Sequence, residues 1–245
     1  MPSKRIHLLD ELRGLCVLLM VFFHGFYTLG YMIGWDVFAD LFWFFEPVEP
    51  IFAGVFIALC GFSCHLSHSN LRRGLLLVAV AVGMSAVLYD VMPDSMIWFG
   101  VLHLQSVCIL LFAAIRRLLG RVPMFIGIPV CIALFLLTVH LPLADGAGYF
   151  GWRGWFTVPT PDLGPWAYPI GMGYAFGMDY FPLLPWMFVF FGGAFLGHSA
   201  DRLPAFCYRR HARPLAFLGR HALIIYLAHQ PIIYGAAWLL SLVIA

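Results

Sequence analysis

Apolar residues in this chain do not alternate with polar ones at the period of a soluble helix or strand. They run continuously, in seven stretches free of Asp, Glu, Lys and Arg, at 14–35, 50–71, 74–89, 95–115, 122–144, 180–200 and 221–245. About twenty consecutive apolar residues carry an α-helix through the hydrocarbon layer of a bilayer. Each run approaches or exceeds that length; only the third is short, and it can borrow from its ends. Helices are the one open-ended structure whose backbone satisfies its own hydrogen bonds in lipid. The pattern therefore predicts an all-α, polytopic membrane bundle of about seven transmembrane helices, a single domain over 1–245.

The charges between the runs test that count. Seven crossings put the N-terminus and the loops at 72–73, 116–121 and 201–220 on one face, which then holds thirteen of the fourteen Lys and Arg; only Arg153 falls opposite. Nine of the twelve acidic residues lie on the other face. The bias of basic residues toward the cytoplasm predicts a cytoplasmic N-terminus, an external C-terminus and an inner (plasma) membrane location. Lys4 and Arg5 precede the first run as in a signal peptide. Asp10 and Glu11 intervene and no small-residue cleavage site follows, so the expectation is an uncleaved first span.

Two connecting segments differ from the rest. "WDVFADLFWFFEPVEP" (35–50) reads as an interfacial helix closed by two prolines. The segment 148–181, rich in Gly, Pro and aromatics, is long enough to be a functional cover over the outer mouth. Composition agrees with the pattern: 62% of residues are apolar and 11% charged, against roughly 25% charged in a soluble domain. A net charge of +2 gives no reason to expect nucleic acid. The six cysteines lie mostly in apolar runs without framework spacing and read as small apolar filler. No H-E-x-x-H, CxxC pair or Walker loop occurs, so neither metal nor nucleotide hydrolysis has support.

Ionisable groups inside spans are costly and mark a site by default. Asp10, Arg13, Val17, Met20 and His24 follow a 3, 4, 3, 4 spacing and share one helix stripe. His24 lies eleven residues beyond Arg13, about 16 Å along the axis. Arg13 alone reads as snorkelling to inner headgroups, and His24 alone as a packing histidine. On one stripe, they fit a ligand that enters from the cytoplasm and reaches deep. His103 in "FGVLHLQS" and His229 in "IYLAHQP" lie at comparable depth in other helices. Pro231 frees the carbonyl of Leu227, which Gln230 or a water can serve. Asp179 opens the sixth run, either capping its amides or orienting a histidine or acceptor amine. Gly219, Arg220 and His221, at an expected helix start, form a candidate anion seat. His65, His68, His198 and His211 flank cytoplasmic ends and read as solvated.

Four ordered motifs, "LLDELRGLCVLLMVFFHGFY", "FGVLHLQSVCIL", "DYFPLLPWMFVFFGGAFLG" and "FLGRHALIIYLAHQPII", resemble those of bacterial membrane proteins related to the catalytic domain of heparan-α-glucosaminide N-acetyltransferase. The resemblance runs over about 5–235. It implies an acetyltransferase that moves an acetyl group from cytoplasmic acetyl-CoA to an extracytoplasmic amine or hydroxyl of a sugar or glycan. It places Arg13 and Arg220 on the CoA side, where His221 and Gln230 are counted with them, and His24, His103, Asp179 and His229 at interior positions. The lysosomal relative has a functional histidine in the non-cytoplasmic stretch after its first span; "GYMIGWDVFADL" has none, so His24 or His103 is expected to serve. The residues leave two other readings open: a transporter or flippase with the histidines as a proton relay, and a non-catalytic scaffold. No metal is expected.

Overall fold

The computed structural model describes residues 5–91, 97–139, 167–171 and 179–244, and every regular element among them is helical. The expected cover at 148–181 therefore lies almost wholly outside the described residues. Five helical stretches are long and apolar enough to cross a membrane: His7–Met32, Asp36–Ser63, Asn70–Val91, Val101–Leu119 and Ala222–Leu242. Two further apolar helices, Met124–Thr138 and Leu183–Gly197, are shorter. The third run does borrow from its ends, starting at Asn70 and closing at Val91.

The chain forms two compact units, Met1–Phe56 with Arg202–Ala245, and Ile57–Asp201. In the first, α1 (His7–Tyr27) continues through a wider π-helical turn, Thr28–Met32. The helix α2 (Asp36–Phe45) passes through a tight turn at Glu46–Val48 directly into α3 (Glu49–Ser63). The α-helix closes at Phe45, just ahead of the expected prolines, but the chain stays in helical turns across them into α3. Pro47 sits at the start of the tight turn and Pro50 in the first turn of α3, positions whose amides have no partner four residues back, so a missing N–H is harmless there. The α1–α2 seam is aromatic: the Phe23 and Phe42 rings stack with centroids 4.8 Å apart, and Tyr31 meets Phe42 edge-on.

At the other end of the sequence, α9 (Arg213–Arg220) runs through His221 into α10 (Ala222–Ile244). Helix α9 crosses the start of α1 at two glycines. A Cβ on Gly14 would strike the Leu215 carbonyl oxygen, and one on Gly219 would strike that of Asp10. Small residues at both positions let the backbones touch. Gly219 thus lies by Asp10 while His229 lies by His24, so α10 climbs parallel to α1.

The second unit holds the rest of α3 with α4 (Asn70–Val91), α5 (Val101–Leu119), α6 (Met124–Thr138), the single turn α7 (Ala167–Ile170) and α8 (Leu183–Gly197). α4 pairs with α5, and α6 with α8, around Leu104, Ile109, Trp186 and Phe190, all at 1% exposure or less. Many large apolar side chains, Phe44, Leu76, Val82 and Leu239 among them, are instead exposed. Lipid tails solvate such a surface, whereas water would penalise contiguous apolar patches of this kind.

Candidate functional site

In the first unit, α1 is unbroken from His7 to Tyr27, so the stripe expected from spacing exists. Asp10, Val17 and His24 along it are buried. His24 Nδ1 lies 2.8 Å from His229 Nε2, with the two rings nearly parallel at 22°. His229 Nδ1 lies 2.6 Å from the Tyr226 carbonyl oxygen.

A carbonyl can only accept, and this assigns the protons. His229 Nδ1 donates to Tyr226, so in a neutral ring its Nε2 carries the lone pair. His24 Nδ1 therefore donates to His229, and the basic nitrogen of His24 is Nε2. The two imidazoles form a directed chain that ends on a backbone oxygen. A proton arriving at His24 Nε2 is stabilised by His229 behind it, as a second group orients a general base elsewhere. One turn above, Thr28 Oγ1 donates to Gln230 Oε1 at 3.4 Å. Gln230 is therefore turned toward α1 beside the imidazoles, not toward Leu227 and not toward the arginines of the inner end.

At that inner end, Asp10 is bracketed by Arg5 Nε at 2.8 Å and Arg13 Nη1 at 3.3 Å. An anion that recruits Arg13 has to compete with a carboxylate already in place. Arg220 and His221 stand at a junction, closing α9 and directly preceding α10, whose Ile225 amide bonds the His221 carbonyl. Arg220 Nε donates to the Ala216 carbonyl at 3.1 Å, His221 Nδ1 lies 2.9 Å from the Phe217 carbonyl, and the His221 amide is bonded within α9. Both side chains are exposed. The expected anion seat thus lies at the start of α10, with the His221 amide already taken by α9 and the Arg220 guanidinium beside it.

Glu11 was not singled out by the sequence. It is 5% exposed, and Oε1 accepts the amide protons of His211 at 2.7 Å and Ala212 at 2.9 Å. Ala212 is the residue before α9, so a carboxylate from α1 caps a helix two hundred residues away. The charge also suits the positive end of the α9 dipole. No local motif announces such a cap, because its two partners are far apart in sequence.

The second unit holds His103 and Asp179. His103 Nδ1 accepts the Gly100 amide proton at 3.3 Å, so its own proton sits on Nε2, 3.4 Å from Ser85 Oγ; Ser85 in turn donates to the Ile97 carbonyl at 2.7 Å. Gly100 is the residue before α5, so His103 caps the start of its own helix. Asp179 is buried against the same point: a Cβ on Gly100 would meet its carboxylate, and Phe181 N bonds the Phe99 carbonyl at 3.1 Å. The start of α8 follows Pro182, and Asp179, three residues earlier, borders the start of α5. His24 and His229 are thus brought together in one unit, and His103 and Asp179 around Gly100 in the other.

His65 and His198 also differ from simple solvated ends. Their rings meet edge-on at 4.8 Å, with His65 also edge-on to Phe112. Partial burial, together with the neighbouring His198, pushes the His65 pKa below its ordinary value of 6.5.

The eight residues expected at the site, Arg13, His24, His103, Asp179, Arg220, His221, His229 and Gln230, all fall within one stretch of family similarity. A family model described as heparan-alpha-glucosaminide N-acetyltransferase, catalytic, matches residues 5–231. No curated protein and no solved structure gives a significant match. With similarity over nearly its whole length and a set of membrane-length apolar helices, the chain belongs to the heparan-alpha-glucosaminide N-acetyltransferase catalytic family, a multi-pass membrane protein of the acetyltransferase class.

Proposed function

We propose that this protein transfers an acetyl group from acetyl-CoA, bound from the cytoplasm, to an amine or hydroxyl of a sugar or glycan on the far side of the bacterial inner membrane. The two shorter helices join the five long ones as seven spans, with the N-terminus inside. The parallel course of α1 and α10 supports an odd number.

The observation that carries the reading is the His24–His229 hydrogen bond at 2.8 Å. It leaves Nε2 of His24 as a base with a proton-stabilising partner, buried about 16 Å above Arg13 on the same helix. A pantetheine arm spans about the same distance as four or five extended residues, ~15 Å. Arg13 and Arg220 take the CoA phosphates at the inner end, Arg13 by exchanging Asp10 for phosphate. The acceptor nitrogen or oxygen attacks the thioester carbonyl while His24 Nε2 takes its proton. The carbon–sulfur bond breaks and the leaving thiolate is reprotonated from the imidazolium. Direct transfer in this form needs no covalent acetyl-histidine.

The same hydrogen bond suits a proton relay, as a transporter would use, and one experiment separates the two. Purified protein is heated with and without acetyl-CoA; at a hundredfold excess over its dissociation constant, a ligand adds about 2.7 kcal/mol to the folded state. Transfer of label from acetyl-CoA in membranes, followed by identification of the product, then names the acceptor. No thermal shift at millimolar acetyl-CoA and no labelled product would discard the acetyltransferase reading.

A further inference from the structure

The segment 202–220 carries Arg202, Arg209, Arg210, Arg213 and Arg220 and no acidic residue. Both carboxylates of the α1 start are committed elsewhere, Asp10 to Arg5 and Arg13, and Glu11 to the backbone ahead of α9. Arg209, Arg210 and Arg213 are exposed and form no ion pair with any described residue. Two phenylalanines stand among them in the open, Phe206 at 52% and Phe217 at 54% exposure. A different face of α9, with Ala216 and Gly219, is buried, Gly219 against α1. Helix α9 runs directly into the apolar α10, so this face lies where a span meets its boundary.

We infer that Arg209, Arg210 and Arg213, with Phe206 and Phe217, form a docking surface for anionic phospholipid headgroups. The guanidiniums pair with lipid phosphate while the two rings enter the headgroup–acyl boundary. Exposed cations interleaved with exposed aromatics along one short stretch suit this setting, because an anionic leaflet attracts basic side chains and the interface accepts aromatic rings. A snorkelling arginine on a span end needs neither the rings nor a dedicated helix. Here Glu11 holds the His211 and Ala212 amides, between Arg210 and Arg213, and the glycine contact holds α9, so the backbone that carries these side chains is fixed in advance. The surface uses none of the residues assigned to acetyl transfer, although the Phe217 ring lies against that of His221, with centroids 4.4 Å apart.

The test uses the full chain in neutral micelles, titrated with fluorescently labelled phosphatidylglycerol or phosphatidylcholine in the absence of acetyl-CoA and read by energy transfer from the native tryptophans. The expected result is a preference for the anionic lipid that the triple variant R209Q/R210Q/R213Q lowers by tenfold or more, since each basic side chain near such a surface contributes roughly a fivefold factor. Raising salt should erode the wild-type preference. F206S/F217S should weaken both lipids alike. The inference is overturned if the triple variant keeps the wild-type preference, if R72Q/R73Q removes it equally, or if inorganic phosphate alone displaces the label, which would indicate a discrete phosphate pocket. Because the substituted side chains are exposed, an unchanged thermal midpoint of the triple variant shows that lost binding is not lost folding.

Discussion

Glu11 and Ala212 are joined by a 2.9 Å hydrogen bond from the Ala212 amide to the Glu11 carboxylate, and the neighbouring His211 amide donates to the same oxygen at 2.7 Å. Removing the carboxylate strands two amides and uncaps α9. Hydrogen bonds to charged groups contribute about 1.5–3 kcal/mol each and a helix cap about 1 kcal/mol. Glu11→Ala should therefore lower unfolding free energy by about 2–3 kcal/mol in detergent denaturation. Glu11→Gln, which keeps an acceptor oxygen, should cost less than half of that. Equal losses for the two variants would show that the cap is not what Glu11 contributes.

The α1–α9 crossing makes a sharper steric prediction. Backbone atoms, which cannot swing aside, occupy the space a Cβ would need at Gly14 and Gly219. Alanine at either position should cost about 3 kcal/mol or more, at the upper end of overpacking effects. Gly83, inside α4, has nothing within 4 Å of such a Cβ. Gly83→Ala should be neutral or stabilise by up to about 1 kcal/mol through helix propensity. Thermal midpoints of the three variants check this directly.

The proton assignments separate the histidines by role. His24→Ala should lower turnover by about a hundredfold to ten-thousandfold, the range of a general base, while acetyl-CoA still raises the thermal midpoint. His229→Phe should lower turnover less and shift the pH–rate profile, since it removes the partner and not the base. His103→Asn keeps an oxygen that can accept the Gly100 amide proton and should retain most activity. If His103→Asn matches His24→Ala, His103 is part of the chemistry and its capping role is secondary.

The His65–His198 contact predicts a pH dependence of stability. Folding lowers the His65 pKa below its ordinary 6.5, so the unfolded chain binds a proton more readily than the folded one. Stability from this group is then complete above pH 6.5 and falls as pH drops through that value toward the lowered folded pKa. His65→Asn should flatten this acid limb of the midpoint-versus-pH curve; an unchanged slope would assign the acid sensitivity to other groups.

Several features were already written in the chain. The apolar runs located the helices, because a lipid-facing segment must be apolar along its whole length and must satisfy its backbone locally. The stripe from Asp10 to His24 was legible because helical periodicity is a property of neighbours three and four residues apart. The prolines at 47 and 50 marked the end of α2 but not the continuation beyond it: proline forbids a hydrogen bond only where one is required, and a tight turn there requires none. At the start of α8 the sequence left Asp179 open between a cap and a group that orients a neighbour, because which chain packs against a carboxylate is not a local property.

The sequence by itself determined most of the helical segments, the charge asymmetry between their ends and the burial of Asp10, His24, Asp179 and His229. The tertiary structure decided what those residues do. His24 and His229 are 205 positions apart, and nothing local to either says that one donates to the other. That choice, like the capping of α9 by Glu11, is made by which helix faces pack together, and packing is settled by contacts between segments that no local pattern encodes.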